Sequence, residues 1–293
     1  MKKKKIKISG IVLNLVFIAL CLTYILPFIL LVSISLTDEA AIAQYGYNLF
    51  PPKISFEAYK QVFLSPGQLI DSYETTITFS LIHTLLLVVV TTMTAYPLSR
   101  NNFRYKKQLI WYIFITMLFG GGLVPSYLVN TKLLHLGNTI WIYIFPGVVS
   151  AWNVIIVRTF FQGIPDSLAE AAKIDGASEF QIFIRIMLPL SKPVMATIGF
   201  MSLIAKWNDW NTALIYIKDT KLYSLQYMLQ RILREVEFIK GMASENPNFN
   251  AAKLPAEGMR YATAILAAGP MIIVFPFFQK YFTKGMTIGA VKG

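Results

Sequence analysis

The chain has 293 residues, of which 55% are hydrophobic and only 14% charged, and its formal net charge is +12. Soluble domains carry about a quarter charged residues, so uninterrupted apolar stretches of the length seen here argue against a soluble globule. The basic residues cluster beside apolar runs instead of forming a stripe interleaved with exposed aromatics, which argues against nucleic acid as a partner.

From the N-terminus, Lys2 to Lys5 and Lys7 precede apolar residues that begin at Ile11, as in a secretory signal. The apolar run continues to Leu36, too long for a signal h-region, and no A-x-A-like cleavage site follows it. It reads as a retained first span. Its Cys21 is the sole cysteine of the chain, so no disulfide or CxxC site can form within it. Further segments at roughly 75–98, 109–129, 138–160, 193–217 and 261–282 also reach the ~20 apolar residues that a helix needs to cross a bilayer. Backbone groups in hydrocarbon must be satisfied internally, so these are helices. The fold class is all-α, a polytopic membrane protein with about six transmembrane helices.

Pro27, Pro97, Pro125, Pro146, Pro270 and Pro276 fall in or near the ends of these spans, where kinks are tolerated if neighbouring helices re-satisfy the freed carbonyls. The two histidines, His83 and His135, lie far apart and have no metal-ligand company, so both read as packing or interfacial residues.

Lys and Arg set the orientation. The N-tail holds five, the 98–108 loop four, the 158–192 region four and the C-terminal end from Lys280 onward three. On the other side, the 37–73 loop holds two and the 131–137 loop one, while the 216–260 loop holds seven and opposes the trend. The first cluster and the short loops prevail, which places both termini in the cytoplasm of a multi-pass protein of the cell (plasma or inner) membrane. Within the 216–260 loop, Ser224 to about Val236 is helical in pattern. Leu225, Met228, Leu229, Ile232 and Leu233 share one face, as in an amphipathic helix lying on a membrane surface.

The cytoplasmic loop 161–189 carries the most information. Pro165 can open a helix, Ser167-x-x-Glu170 fits a capping box, and Gly176 fits a sharp helix C-terminus. Ser178-x-x-Gln181 fits a second capping box and Pro189 ends that helix. Two short helices joined at Gly176 follow, with Ala169, Ala171 and Ala172 keeping the first slim enough for another protein to approach. On local physics alone, a plain cytoplasmic elbow with Glu170 as a cap explains the loop equally well.

The residue string Glu170-Ala171-Ala172-x-x-Asp175-Gly176-Ala177, followed by Ile186 and Leu188-Pro189, resembles the EAA loop of the binding-protein-dependent ABC importer permeases. Phe119-Gly120-Gly121-Gly122 through Leu128, and the tail from Lys284 to Gly293, are similar to the carbohydrate permeases of the maltose type, second-permease branch. The resemblance implies a type I ABC importer permease fold, with an N-terminal span and outer loop over 1–72, a permease core over 73–282 and a cytoplasmic tail over 283–293. It implies that Glu170, Ala171, Ala172, Asp175, Gly176 and Ala177 dock on a cytoplasmic ATPase. The tail residues Lys284, Gly289 and Lys292 would reach the ATPase dimer interface; a disordered end is the plainer reading of that tail. Residues around 234–258 of the 216–260 loop, Asn246 to Asn250 among them, would meet an external binding protein.

Polar residues inside spans are costly and mark a pathway or a structural bond. Lys206-Trp207-Asn208-Asp209-Trp210-Asn211 is the densest case. Trp207 pairs with Trp210, and Asn208 with Asn211, at a spacing that shares a helix face. Indoles stack on sugars and amides bond hydroxyls, so these four residues are candidates for a carbohydrate path, with Asn153 in the fourth span a lesser one. An interfacial Trp belt with interhelical hydrogen bonds is the competing account.

The chain has no GxxxxGK[ST] loop, so it is not itself an ATPase. The expected assembly is a second permease subunit, two ATPase subunits that bind ATP and Mg, an extracytoplasmic solute-binding protein and membrane lipid, with no cofactor in this chain. A stand-alone secondary transporter is the alternative, though the sequence lacks the internal repeat such proteins usually show. A membrane enzyme is a third class, and no nucleophile–base pair or metal cluster supports it.

Overall fold

The computed structural model describes residues 8–63, 66–245 and 256–290. Helices account for the described architecture, with Thr37 and Ile54 forming an isolated antiparallel bridge. The chain packs as two units, Met1–Pro66 with Leu229–Gly269, and Gly67–Met228 with Pro270–Gly293.

In the first unit, α1 (Ile8–Ser35) is apolar on all sides, and none of its most apolar stretch is buried. That is the surface a helix presents to lipid or to another subunit. The segment after it folds back on its end. Ser33 Oγ donates to the Asn48 carbonyl (2.7 Å), and Asp38 caps α2 (Glu39–Tyr45) through the Ala40 N–H (3.2 Å). Lys53, 3.2 Å from Asp38, holds that carboxyl below its usual range. After α3 (Glu57–Val62), the unit is tied to the start of the last helix by Glu39. Its two carboxylate oxygens accept from the Glu257 and Gly258 N–H groups at 3.0 and 3.2 Å. A carboxylate suits the positive end of a helix.

The second unit is built on α4 (Pro66–Ser99), a long helix with Thr76, Thr91 and Ala95 fully buried along it. Next come α5 (Lys106–Leu118) and α6 (Leu123–Leu128), which runs on through a π-helical turn, Val129–Leu133. The predicted span 109–129 is therefore broken: Phe119 and the glycines 120–122 separate two arms inclined at 111°.

The predicted span 138–160 is likewise two pieces, α7 (Trp141–Ile144) and α8 (Ala151–Gln162). Pro146 has no N–H to continue α7, and Gly147 turns the chain at φ +85, a region that side chains with a Cβ avoid. Ser150 then restarts the helix by accepting from the Asn153 N–H at 3.3 Å.

Two short helices follow, α9 (Asp166–Ile174) and α10 (Glu179–Ile182); the latter passes through a π-helical turn, Phe183–Met187, into α11 (Leu188–Leu190). After a 75° bend comes α12 (Lys192–Trp207), and then α13 (Asn211–Tyr216). The chain continues through α14 (Leu225–Glu245) to α15 (Ala256–Ala290). By length and composition, three described helices can cross a membrane unbroken, and five spans result if each bent pair is one.

Two further expectations change. The predicted fifth span, 193–217, stops at Trp207 and restarts at Asn211. The amphipathic stretch from Ser224 extends to Glu245, and its Leu225, Met228 and Leu229 are buried in the protein instead of lying free for a membrane surface. The Leu225 N–H donates to Thr76 Oγ1 of α4 at 2.9 Å.

α4 and α12 approach closely at Gly199, where an added Cβ would stand 3.4 Å from Val88 Cγ2 and 3.7 Å from Thr84 Cγ2. Thr84 Oγ1 donates to Ser202 Oγ one turn away, at 3.3 Å. Small residues and hydroxyl bonds of this kind replace the hydrophobic drive that helices lack among themselves in lipid. Gly199→Ala should therefore be tolerated, whereas Gly199→Leu should lower stability by about 1–3 kcal/mol through overpacking. Thermal melting of the two variants in detergent checks this.

Candidate functional site

The 161–189 loop forms a compact knuckle. Pro165 precedes α9 without a side-chain cap, and Asp166 opens the helix with its negative charge in the first turn, where the dipole favours it. The expected capping box of Ser167 and Glu170 does not form, because α9 begins one residue before Ser167 and places that serine inside the helix. The turn at Gly176 forms as expected, at φ +84. The second capping box also forms: the Gln181 N–H donates to Ser178 Oγ (3.3 Å), and the Ser178 N–H to Gln181 Oε1 (2.8 Å).

Ala169 is 1% exposed and packs into a core with Phe161, Ile182, Phe183 and Met187. Ala172 and Ala177 lie against the same core. Two of the three helical alanines thus let α9 sit close to its own chain, and of them only Ala171 is exposed to a partner. This corrects the expectation that all three thin the helix for an outside surface.

The other face carries chemistry. Glu170 is exposed and forms no hydrogen bond or ion pair among the described residues, and Asp175 and Gly176 are exposed beside it. Leu168, Ile174 and Phe180 are exposed as well, Ile174 to 86%. Leu168, Ile174 and Phe180 thus leave apolar surface open close to an unpaired carboxylate and a fixed turn.

Charges that sequence reasoning missed fix the knuckle to α4. Arg100 pairs with Asp166 at 3.1 Å, and Asn101 Nδ2 donates to the same carboxylate at 3.4 Å. Tyr96 Oη donates to Glu179 Oε2 at 2.6 Å, while Lys173 pairs with Glu179 across the Gly176 turn. Arg158 Nε donates to the Leu98 carbonyl at 3.0 Å, joining α8 to the same corner. For Asp166 the available signal was charge complementarity, an acid facing the basic 98–108 segment.

The candidate path residues are dispersed. Trp207 is 3% exposed, with its ring 6.4 Å from that of Tyr73. Because α12 ends there, Trp207 does not share a helix face with Trp210, nor Asn208 with Asn211. Asn208, Trp210 and Asn211 are exposed, and Asn208 bonds the Ile204 carbonyl (2.9 Å) and Gln226 (3.3 Å). Asn153 is half-buried in the first turn of α8. In the tail, Lys284 and Gly289 belong to α15, whereas Lys292 lies outside the described residues, as does the Asn246 to Asn250 segment. His83 is buried and bonded to backbone, and His135 is exposed, at φ 52. Among the described residues no group of three or more potential metal ligands occurs.

Comparison with known proteins places the chain. Residues 3–288 match the family model described as binding-protein-dependent transport system inner membrane component. Protein LplC of Bacillus subtilis (strain 168) is 39% identical over 270 residues, covering 92% of this chain and 90% of LplC. The polygalacturonan/rhamnogalacturonan transport system permease protein YtcP of the same organism is 34% identical over 279 residues, covering 95% of each. A crystal structure of a bacterial ABC transporter involved in import of the acidic polysaccharide alginate contains a chain that superposes with a TM-score of 0.81 at 28% identity. The match covers 96% of this chain and 100% of that one.

The Glu179 carboxyl is held below its usual range, first by Lys173 and then by the Tyr96 hydroxyl. A depressed folded pKa adds stability that is present above the unfolded carboxyl's titration and lost as pH falls through the folded value. Glu179 is more than half exposed, so the gain is small, below about 1 kcal/mol. Glu179→Gln should lower the melting temperature at pH 7, and the difference from wild type should vanish at strongly acid pH.

Proposed function

This chain belongs to the family of binding-protein-dependent transport system inner membrane components, and we propose that it is one permease subunit of an importer for an oligosaccharide. Energy comes from a pair of cytoplasmic ATPase subunits that bind ATP and Mg, and a second permease completes the path. An extracytoplasmic solute-binding protein delivers the sugar. The carbohydrate assignment is supported by the substrates named for two of its neighbours, polygalacturonan/rhamnogalacturonan and alginate. No observation favours a stand-alone secondary transporter.

The observation that carries this reading is the knuckle at 166–182: exposed Glu170 and Ile174 on one side, and rigid attachment to the spans on the other. Glu170, Ala171, Asp175 and Gly176 form the surface that meets the ATPase, with Ala172 and Ala177 seating it from behind. Closure of the ATPase dimer displaces α9. Tyr96–Glu179 and Arg100–Asp166 pass that displacement to the end of α4, and α10 and α11 pass it to α12. Two spans move from one contact, as alternating access requires. Lys284, Gly289 and Lys292 provide a second basic contact with the ATPases, and Asn208, Trp210, Asn211 and Asn153 line the sugar's route.

Glu170 caps nothing, so changing it tests the interface apart from the fold. Glu170→Lys should abolish or strongly weaken pulldown of the ATPase, since breaking an interfacial charge pair costs about 2–5 kcal/mol, while the melting temperature of the permease stays near wild type. Equal loss of both would mean that the residue acts on folding alone.

Both termini face the cytoplasm in this reading. In a Cys21→Ser background, Lys173→Cys should resist an impermeant thiol reagent applied outside, while Lys53→Cys should react. Strong external labelling at 173 would invert the topology.

A further inference from the structure

Two breaks in the second unit meet at a buried lysine. At the first, Pro146 and Gly147 end α7 and release its last carbonyls; the Val148 N–H turns back to the Phe145 carbonyl at 3.2 Å. The Tyr143 carbonyl then accepts from Lys206 Nζ at 2.8 Å, and the neighbouring Ile144 carbonyl from His83 Nδ1 at 2.7 Å. At the second break, α12 stops one residue after Lys206. Asp209, 3.9 Å from Lys206 Nζ, holds the start of α13 by accepting from the Thr212 N–H (3.0 Å) and Thr212 Oγ1 (2.7 Å). Lys206 and Asp209 are both about 15% exposed, at 15% and 16%.

A charged side chain inside a span is costly and persists where it has a task. Lysine is also the side chain best suited to bond the terminal carbonyls of a helix whose dipole it complements. Here one ammonium serves a C-terminal carbonyl of α7 while paired with the acid that organises the break between α12 and α13. We infer that Lys206 is a positioning residue that locks the 145–150 and 208–210 breaks together, so that the two segments rearrange as one during transport. Breaking the Lys206 bond leaves the Tyr143 carbonyl without that donor and Asp209 without its cation, a cost that holds the two breaks together.

The inference rests on the permease reading, and its test separates the two. In a reconstituted complex, wild-type ATPase activity must rise with loaded binding protein; if it does not, the permease reading fails first. Given that stimulation, Lys206→Met should raise the unstimulated ATPase rate several-fold and lower the sugar moved per ATP, and Lys206→Arg, which keeps the donor, should restore much of the coupling. A parallel fall of stimulated and unstimulated rates, or an unchanged ratio, would overturn the lock. Hydrogen exchange on wild type gives a readout that needs no variant. Amides of 145–150 and 208–211 should change protection together between the resting complex and one trapped with ATP and vanadate. A change at one break without the other would overturn the inference equally.

Discussion

Inside hydrocarbon, a backbone carbonyl that leaves its helix must find another donor, and this constraint governs where the chain places its polar side chains. The break after Ile144 would leave Tyr143 and Ile144 carbonyls bare; Lys206 and His83 reach them from α12 and α4. The Tyr143 ring stacks on Phe79 with centroids 4.3 Å apart, and its hydroxyl donates to the Leu222 carbonyl at 2.8 Å. Asn138, at positive φ, accepts from the Lys218 and Asp219 N–H groups with its side-chain oxygen. Lys206, His83 and Asn138 therefore serve the ends of helix fragments, and the fragments stay in place because those bonds are made. A span cut into pieces can be repositioned without being unfolded.

The knuckle at 166–182 follows the same logic on the protein's surface. Its backbone turns at Gly176, its second helix is held by a complete capping box, and its acids are matched by side chains of α4 and the segment after it. Each surface ion pair contributes little alone, about 0–1 kcal/mol. Together they fix the angle of a small lever whose outward face, Glu170 and Ile174, has no partner in its own chain among the described residues.

Much of this was legible in the residues. Apolar runs located five of the six expected membrane segments, 138–160 resolving instead into α7 and α8, neither long enough to cross. Gly176 with Ser178-x-x-Gln181 located the knuckle, because turns and caps are decided by neighbours in sequence. Span continuity was less legible. Pro146 and Gly147 sit in an apolar run whose hydropathy does not register a break, and only the pairing of their carbonyls with Lys206 and His83 makes the break stable. Periodicity put Trp207 and Trp210 on one face by assuming that the helix continued; Asp209, by capping the next helix through Thr212, ended it. The Ser167–Glu170 box failed for a similar reason. Pro165 and Asp166 started the helix earlier, which left Glu170 free. Long-range pairs such as Tyr96–Glu179 carry no local signature at all.

The central claim is that force enters the membrane segments through the outward face of α9. Site-specific cross-linking tests it most directly: Ile174→Cys in a Cys21→Ser chain, paired with single cysteines on the cleft of the purified ATPase. The account predicts a cross-link at 174 whose yield changes between nucleotide-free and ATP-bound complexes. An assembled, transport-active complex that gives no cross-link from 174, or one indifferent to nucleotide, would contradict it.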